Sequence, residues 1–358
     1  MEKLSEKGWK PFQIDEEFDI KSGVRLESRN RTPGEHPFIG ALDNSNGVVQ
    51  FVSNKNASLD SNFLGVNYNG NGMGIGFYHP YECICTDDVK RFHQKHVNDS
   101  EELALFDKTV IEKQRGKFGY LYKFNARRMA KTDVLLPITD SGNPDYEYMA
   151  EYTKQIREKL LSRYCKYVKK RIAELGDKIE IPALNEKEWR EFQIGDICTV
   201  TGTITTRPEV LIGKNRGSIP RITCAAVNNG LDDFYHNEAT ESGGVLTVDS
   251  AVLGTVFYQP YDFIATDHVE KLICKGRLMS DSVGLFLTVA ITQSNGSKYQ
   301  YGYKFSQKRI RSQIVMLPVT DSGEPDYEYM EQYVKNMMLR KYKQYLTFIS
   351  SHVEVRNV

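Results

Sequence analysis

The stretch from Lys113 to Lys131, KQRGKFGYLYKFNARRMAK, carries seven basic residues and no acidic one. Cations interleaved with aromatic rings can hold a polyanion: the charges meet phosphates while the rings offer flat apolar surface. From Ser282 to Thr320 there is again no acidic residue, and Lys298, Lys304, Lys308, Arg309 and Arg311 crowd the second half. Lys123, Arg127 and Arg128 occupy positions equivalent to Lys304, Lys308 and Arg309, and Lys113, Arg115, Lys117 and Lys131 extend the first island. These residues are candidates for contact with a phosphate backbone, which fixes register without reading bases. The plainer reading is a solvated cationic strand edge that discourages aggregation. Net charge is zero, with 47 basic and 47 acidic residues in 358, so any attraction for a polyanion is local.

Other constellations promise less. Gly70, Gly72, Gly74 and Gly76 suggest a phosphate cradle, but no Lys-Ser/Thr follows, and the next residues, FYHPY, read as strand and turn. Asn143-Pro144-Asp145-Tyr146 is superficially similar to the Asn-Pro-Pro-Tyr loop of adenine methyltransferases. The second proline is missing, and Glu324 replaces Asn143 in a later copy of the segment. Helix capping explains these residues more simply. Glu147 has no lysine at the two-residue spacing a metal-dependent nuclease needs. His93 and His96 are spaced for one helical face, yet neither has a counterpart in the second half, so a surface pair is expected rather than a metal site. The six cysteines include Cys83 and Cys85 but no second pair at zinc spacing. Reduced core thiols in a cytoplasmic protein are the expectation. Without a hydrophobic leader or 18 consecutive apolar residues, neither export nor a membrane span is expected.

The elements that must position these residues come in two copies. LPITDSGNPDYEYMAEY (136–152) returns as LPVTDSGEPDYEYMEQY (317–333). WKPFQI (9–14) pairs with WREFQI (189–194), and FYHPYECICTDDV (77–89) pairs with FYQPYDFIATDHV (257–269). Tyr120, Tyr122 and Phe124 pair with Tyr301, Tyr303 and Phe305, alternating as on a strand. Residues 23–75 and 202–255 share little, so each half is a common frame around a divergent insert. Short β-branched and aromatic runs broken by Asn46-Gly47, Asn229-Gly230 and Gly243-Gly244 predict β-rich globules, and Ser100 caps a predicted helix.

After each repeated segment the apolar period becomes helical: Met149, Tyr152, Ile156, Leu160, Tyr164, Val168, Ile172, then Met330, Val334, Met337, Met338, Tyr342, Tyr345. Pro144 and Pro325 are predicted as first helical residues, with Asp145, Glu147, Asp326 and Glu328 complementing the positive end of the dipole. A helix of some 30 residues would be ~45 Å long. Its single apolar stripe needs a partner, most simply the other copy. The expected class is therefore α+β: two β-rich domains related by internal duplication, each followed by a long helix, the helices pairing as an antiparallel coiled coil. The divisions are 1–143, 144–178, 179–324 and 325–358.

With its Trp-x-x-Phe-x-Ile starts (Trp9, Trp189), FY-x-PY…TD blocks and two LP-x-TDSG-x-PDYEYM hinges, the chain resembles the DNA-specificity (S) subunits of bacterial restriction–modification systems. Many ATP-dependent type I members end the domain in a Pro-rich loop with a Glu-Gln pair, absent here. The hinge is more similar to BcgI-like type IIB members, whose partner fuses methyltransferase and nuclease. The resemblance implies two target-recognition domains, each reading one half of a bipartite site in double-stranded DNA, and helices that set the gap. It also implies docking of adenine-methyltransferase subunits, which would carry the S-adenosylmethionine and Mg²⁺ chemistry, so this chain would be non-catalytic and bind neither cofactor. The docking candidates are Met149, Tyr152, Ile156, Leu160, Met330, Tyr333, Met337 and Tyr342.

Base reading would fall to the inserts. Arg25, Arg29, Arg31, Asn44 and Asn46 are candidates in the first, and Arg207, Arg216, Arg221, Asn228 and Asn229 in the second, because Arg suits guanine and Asn suits adenine. Two rival readings stand beside this one: a scaffold or decoy that occupies methyltransferase subunits, and a self-contained methyltransferase or nuclease.

Overall fold

The structure is a computed structural model that describes residues 3–69, 72–119, 121–300 and 302–352. The chain divides into two compact units, Met1–Tyr164 and Cys165–Val358.

The first unit contains β1 (Trp9–Gln13), α1 (Ile14–Glu17), β2 (Phe18–Ser22), β3 (Pro33–Ile39), β4 (Val48–Val52), β5 (Phe63–Asn67), β6 (Gly76–His79), β7 (Ile84–Cys85), β8 (Val89–Gln94), α2 (Glu101–Glu112), α3 (Ala126–Ala130) and β9 (Asp133–Pro137). It ends in α4 (Tyr146–Leu175), whose last turns belong to the second unit. Three sheets form, ordered β1-β9, β2-β8-β5-β6 and β4-β3-β7.

The second unit repeats the plan with β10 (Trp189–Gln193), α5 (Ile194–Ile197), β11 (Cys198–Gly202), β12 (Ile219–Ile222), β13 (Leu231–Tyr235), β14 (Val245–Asp249), β15 (Val256–Gln259), β16 (Ile264–Ala265), β17 (Val269–Cys274), α6 (Asp281–Asn295), α7 (Gln307–Ser312), β18 (Ile314–Pro318) and α8 (Tyr327–His352). Its sheets are β10-β18, β11-β17-β14-β15 and β13-β12-β16. Strand for strand, the pairings of the first unit recur. They recur even across the inserts: β3 runs parallel to β7 as β12 does to β16. The divergent segments therefore kept their topology while their residues changed.

The cores show how. Ile14, Phe124, Met129, Val134, Leu136 and Met149 are at most 1% exposed, as are Ile194, Phe305, Ile310, Val315, Leu317 and Met330 at equivalent positions. Under the small sheets, Phe63 and Cys83 pack in one unit where Val245 and Phe263 pack in the other. The large ring has moved from the start of the long strand to the residue just before the short one, so each pocket still holds one large and one small side chain.

The repeated hinge is a turn and a cap. Gly142 and Gly323 have φ of +82° and +84°, which closes Thr139–Asn143 and Thr320–Glu324 loops by backbone bonds of 2.9 Å. Pro144 bridges Ile138, and Pro325 bridges Val319, so neither proline is the first helical residue as expected. Asp145 and Asp326 take the capping position instead: each carboxylate accepts from the backbone N–H three residues on, at 3.0 and 2.9 Å. Their second oxygens meet Lys7 (2.8 Å) and Lys187 (2.7 Å). Burial pushes these carboxyls up, but the lysine hydrogen bonds and the cap hold both below the usual value. The capped Ser100 helix forms as predicted, with Leu103 N–H donating to Ser100 Oγ at 3.3 Å.

Within the second unit, the last turns of α4 lie against α8. The Tyr167 and Tyr342 rings meet edge to face at 6.4 Å, and Arg171 hydrogen-bonds the Tyr342 hydroxyl. Farther along, Ile179 exchanges two hydrogen bonds with Asn336. Partners step backward along α8 as the chain advances, so the paired helices run in opposite senses. Val168 and Leu339 are buried in this region.

Candidate nucleic-acid interface

Of the alternating aromatics, the described Tyr122 and Phe124 do not lie on a strand, nor do Tyr303 and Phe305. Tyr120 and Tyr301 lie outside the described residues, but Gly119 and Tyr122 exchange backbone bonds of 3.1 and 3.0 Å, closing a tight hairpin, and Gln300 and Tyr303 do the same. Phe118 and Tyr122 then stack, 5.9 Å apart and 3° from parallel, and Phe118 also packs on buried Phe124 at 4.4 Å. Tyr299, Tyr303 and Phe305 repeat the stack at 5.9 and 4.0 Å. The period of two reflects a turn folded over its own rings, not a pleat.

One arginine closes each stack. The Arg128 guanidinium lies 3.8 Å above the Tyr122 ring and donates to Lys123 O at 2.7 Å. Arg309 lies 3.9 Å above Tyr303 and donates to Lys304 O, also at 2.7 Å. Each is positioned by a short helix, α3 or α7, and a planar cation is suited to lying on a ring. Lys113, Lys117, Arg127, Lys131, Lys298, Lys304, Lys308 and Arg311 project into solvent, whereas Lys123, Arg128 and Arg309 are half-buried. Lys117, Arg127, Arg128 and Lys131 line an open cleft of about 610 Å³ with Asn125 and Asp133. Two of the basic candidates hold the fold as well. Arg115 Nε donates to Met73 O at 2.9 Å and packs against Gly74, whose φ is +78°. Arg311 donates to Val200 O at 2.8 Å. Those loop glycines make turn contacts; Gly70 lies outside the described residues.

The base-reading candidates divide. Arg25, Arg29, Asn44, Arg207, Arg216 and Asn228 are exposed, although Arg29 pairs with Glu27 at 2.8 Å and Asn44 donates to Asp43 at 3.1 Å. Four others are committed internally. Arg31 lies over Phe38 and donates to Leu26 O. Arg221 pairs with Asp232 at 3.0 Å with its side chain 11% exposed. Asn46 and Asn229 take left-handed conformations, φ +52° and +56°. Their amides donate back to Tyr81 at 2.7 Å and Gln259 at 3.0 Å, so both are turn residues.

Among the docking candidates, Met149 and Met330 are 0% exposed inside their own cores and present no docking face. Tyr152 packs on Phe106 and Tyr333 on Phe286, each edge to face. Ile156 and Leu160 remain exposed. Met337 lines an apolar groove of about 650 Å³ with Trp189, Leu285, Val289 and Met316, and Tyr342 faces Tyr167.

His93 is not a surface residue. Nδ1 lies 2.8 Å from Asp99 and Nε2 lies 3.0 Å from Asp60, which also takes Arg91 at 2.5 Å. The hydrogen bond that the ring donates to Asp99 raises the imidazole above its usual value, against the opposing effect of burial. His96 Nε2 meets Glu16 O at 2.9 Å. In the second unit, Lys271 and Glu241 form the matching cross-sheet ion pair, with the Glu241 side chain 1% exposed. Sequence reasoning missed this pair, because both members change type between the halves and the acid lies in the divergent insert.

Asn143 donates to Ser141 Oγ within the hinge turn, which fits capping and turn formation in that segment. Among the described residues, no three His, Cys, Asp or Glu side chains gather as a metal site, and no helix is long and apolar enough to cross a membrane.

Comparison with known proteins agrees with this architecture. The family described as type I restriction modification DNA specificity domain matches residues 6–163 and 186–345. The chain belongs to that family, and both units carry the domain. The type II restriction enzyme BgcI specificity subunit S.BcgI of Heyndrickxia coagulans is 46% identical over 160 residues, 45% of this chain and 47% of that protein, so the match spans about half the length of this curated relative. Among solved structures, the type I restriction–modification S subunit from M. genitalium aligns over 98% of this chain and 94% of its own. Its TM-score is 0.52 at 15% identity, a likeness of fold. The HsdS subunit from Thermoanaerobacter tengcongensis aligns over 97% of this chain and 92% of its own, with TM-score 0.30 and 13% identity, and adds nothing to the fold assignment.

Proposed function

We propose that this chain is the DNA-recognition subunit of a cytoplasmic restriction–modification complex and that it performs no chemistry itself. Residues 1–143 and 179–324 would each read one half of a bipartite site in double-stranded DNA, while helices at 144–178 and 325–358 set the gap. The observation that carries this reading is the duplicated arginine-capped ring stack, which holds a cationic hairpin in both units while the inserts those units carry have diverged in sequence. A constant phosphate grip next to a variable surface is what two half-sites of different sequence require.

In this reading, Lys117, Arg127 and Lys131, with Lys298, Lys304 and Lys308, neutralise phosphates. Arg25, Arg29, Asn44, Arg207, Arg216 and Asn228 are the exposed side chains left to contact base edges. Methyl transfer to adenine would belong to a partner methyltransferase, alone or fused to a nuclease, which binds S-adenosylmethionine and Mg²⁺. Exposed Ile156 and Leu160, with Met337, Tyr333 and Tyr342, are the surfaces offered for its docking. The target base would have to leave the stack to reach the partner's pocket.

The test is co-expression with a methyltransferase encoded beside this chain, followed by genome-wide mapping of modified adenine. A bipartite motif that disappears when this chain is omitted is expected. Methylation that keeps its sequence preference without this chain would refute the reading, as would stable docking with no sequence-selective methylation.

A further inference from the structure

The cationic hairpin of the first unit carries an apolar side chain at its tip. Leu121 is 95% exposed, within the turn that Gly119 and Tyr122 close by two backbone bonds. Single exposed leucines are common and by themselves mean little. This one is mounted on a braced base: Tyr122 is clamped between the Phe118 ring and the Arg128 guanidinium, and Phe118 rests on buried Phe124. Lys117 and Arg127 project into solvent from the same segment, which contains no acid from 113 to 131. In the second unit the ring stack and its arginine are reproduced, but the matching turn residue is Gly302. The platform was kept in both halves, and the apolar tip stands on one.

We propose that Leu121 is a wedge that enters a base step of the half-site held by the first unit, and that the second unit has none. This deepens the DNA-recognition reading and rests on it. Cations around the tip take the flanking phosphates, while the side chain trades exposure to water for contact with unstacked base faces, the energetic exchange used by apolar residues that kink duplexes. The cationic surroundings favour nucleic acid over an apolar protein pocket, where those charges would lose hydration without partners. The effect belongs to one half-site only and depends on how easily that step opens, so it discriminates between sequences without hydrogen bonds.

The experiment uses the assembled complex with its methyltransferase and duplexes bearing its mapped site, with 2-aminopurine placed in turn at each position outside the methylated adenines. Wild type should brighten one step in one half-site. Leu121→Gly should abolish that signal and weaken binding about tenfold or more, the scale of leaving one leucine side chain unburied, and Leu121→Ser, equally tolerable at an exposed position, should do the same. Selective binding with no brightening, or brightening that survives both variants, would overturn the wedge and leave DNA recognition standing. Loss of the methyltransferase from the variant complex with fluorescence unchanged would assign Leu121 to a protein contact and overturn it too. A wild-type complex with no sequence-selective binding would remove the underlying reading itself.

Discussion

Gln94 donates from Nε2 to Asp107 Oδ2 at 2.5 Å inside the first unit, where Asp107 is 1% exposed. Close by, the Tyr146 hydroxyl, at the first residue of α4, donates to buried Glu17. The second unit has Cys274, Leu287, Ile197 and Tyr327 at these positions, and three of the four polar side chains have become apolar. A polar cluster at the root of one helix thus stands where its twin is hydrophobic. Burial pushes the Asp107 carboxyl up to about 8; the Gln94 hydrogen bond opposes the shift and the Glu17 and Asp99 charges add to it.

That shift sets a pH dependence. The folded state holds the Asp107 proton up to pH of about 8, while the unfolded chain releases it near 4, so stability falls as pH rises between those values, by up to about 1.4 kcal/mol per unit. Asp107→Asn keeps a neutral partner for Gln94 and removes the titration. Urea unfolding at pH 5 and pH 8 should show its advantage over wild type growing with pH. His93 titrates with the same sign: its folded value is raised, so its contribution is full below about 6.5 and lost as pH rises further.

Asp145 and Asp326 each cap a helix and pair with a lysine, so Asp145→Ala and Asp326→Ala should each destabilise their unit by about 2 kcal/mol, near the upper end for a cap. Asp145→Asn, which can still accept from Tyr148 N–H, should cost less than Asp145→Ala. Because both carboxyls are held below their usual value, the stabilisation is present at neutral pH and lost as pH falls below about 4 through the folded values. Thermal unfolding of the single variants at pH 7 and pH 3.5 measures this; equal costs at both would contradict it.

The exposed cations and the stacked arginines should fail differently. Arg127→Ala or Lys131→Ala should weaken binding to all DNA sequences alike and reduce the slope of log K against log salt by about 0.9 per lost phosphate contact. Arg128→Lys keeps the charge but removes the planar stack on Tyr122, so it should loosen the hairpin. Hydrogen exchange at 117–124 should rise while the salt slope holds.

Much of this could be read from residues alone, for identifiable reasons. The hinge and the doubled frame were legible because the residues that make them were copied almost unchanged, and the helices because an apolar period of three to four residues survives in both although their sequences differ. The sequence places each helix start two residues early because a proline before a helix usually occupies its first turn, whereas Pro144 and Pro325 bridge back to the chain before them and the helices begin at Tyr146 and Tyr327. Met149 and Met330 carry the helical period yet point into their own globules, since periodicity marks an apolar face without naming what covers it. The Asp60–Arg91 and Glu241–Lys271 pairs were hidden because opposite charges can be exchanged for other opposite charges without leaving a recognisable motif. Asn46 and Asn229 fit the preference for base-reading types equally well, but only a structure shows their amides already donating to Tyr81 and Gln259.

A change in helix length should register on DNA. Inserting one turn within 150–172 is expected to change the gap between half-sites or abolish selective binding, because each added turn lengthens the rod by ~5.4 Å. Methylation-site mapping of the altered complex reads the gap directly, and an unchanged motif at full occupancy would refute the ruler.

The most direct measurement replaces residues 20–130 with the equivalent segment of a related protein of different specificity, then maps modified bases in cells expressing the hybrid with its methyltransferase. Two independent readers predict that one half of the recognised motif changes while the other half and the gap persist. A change in both halves, or in neither, would contradict the account.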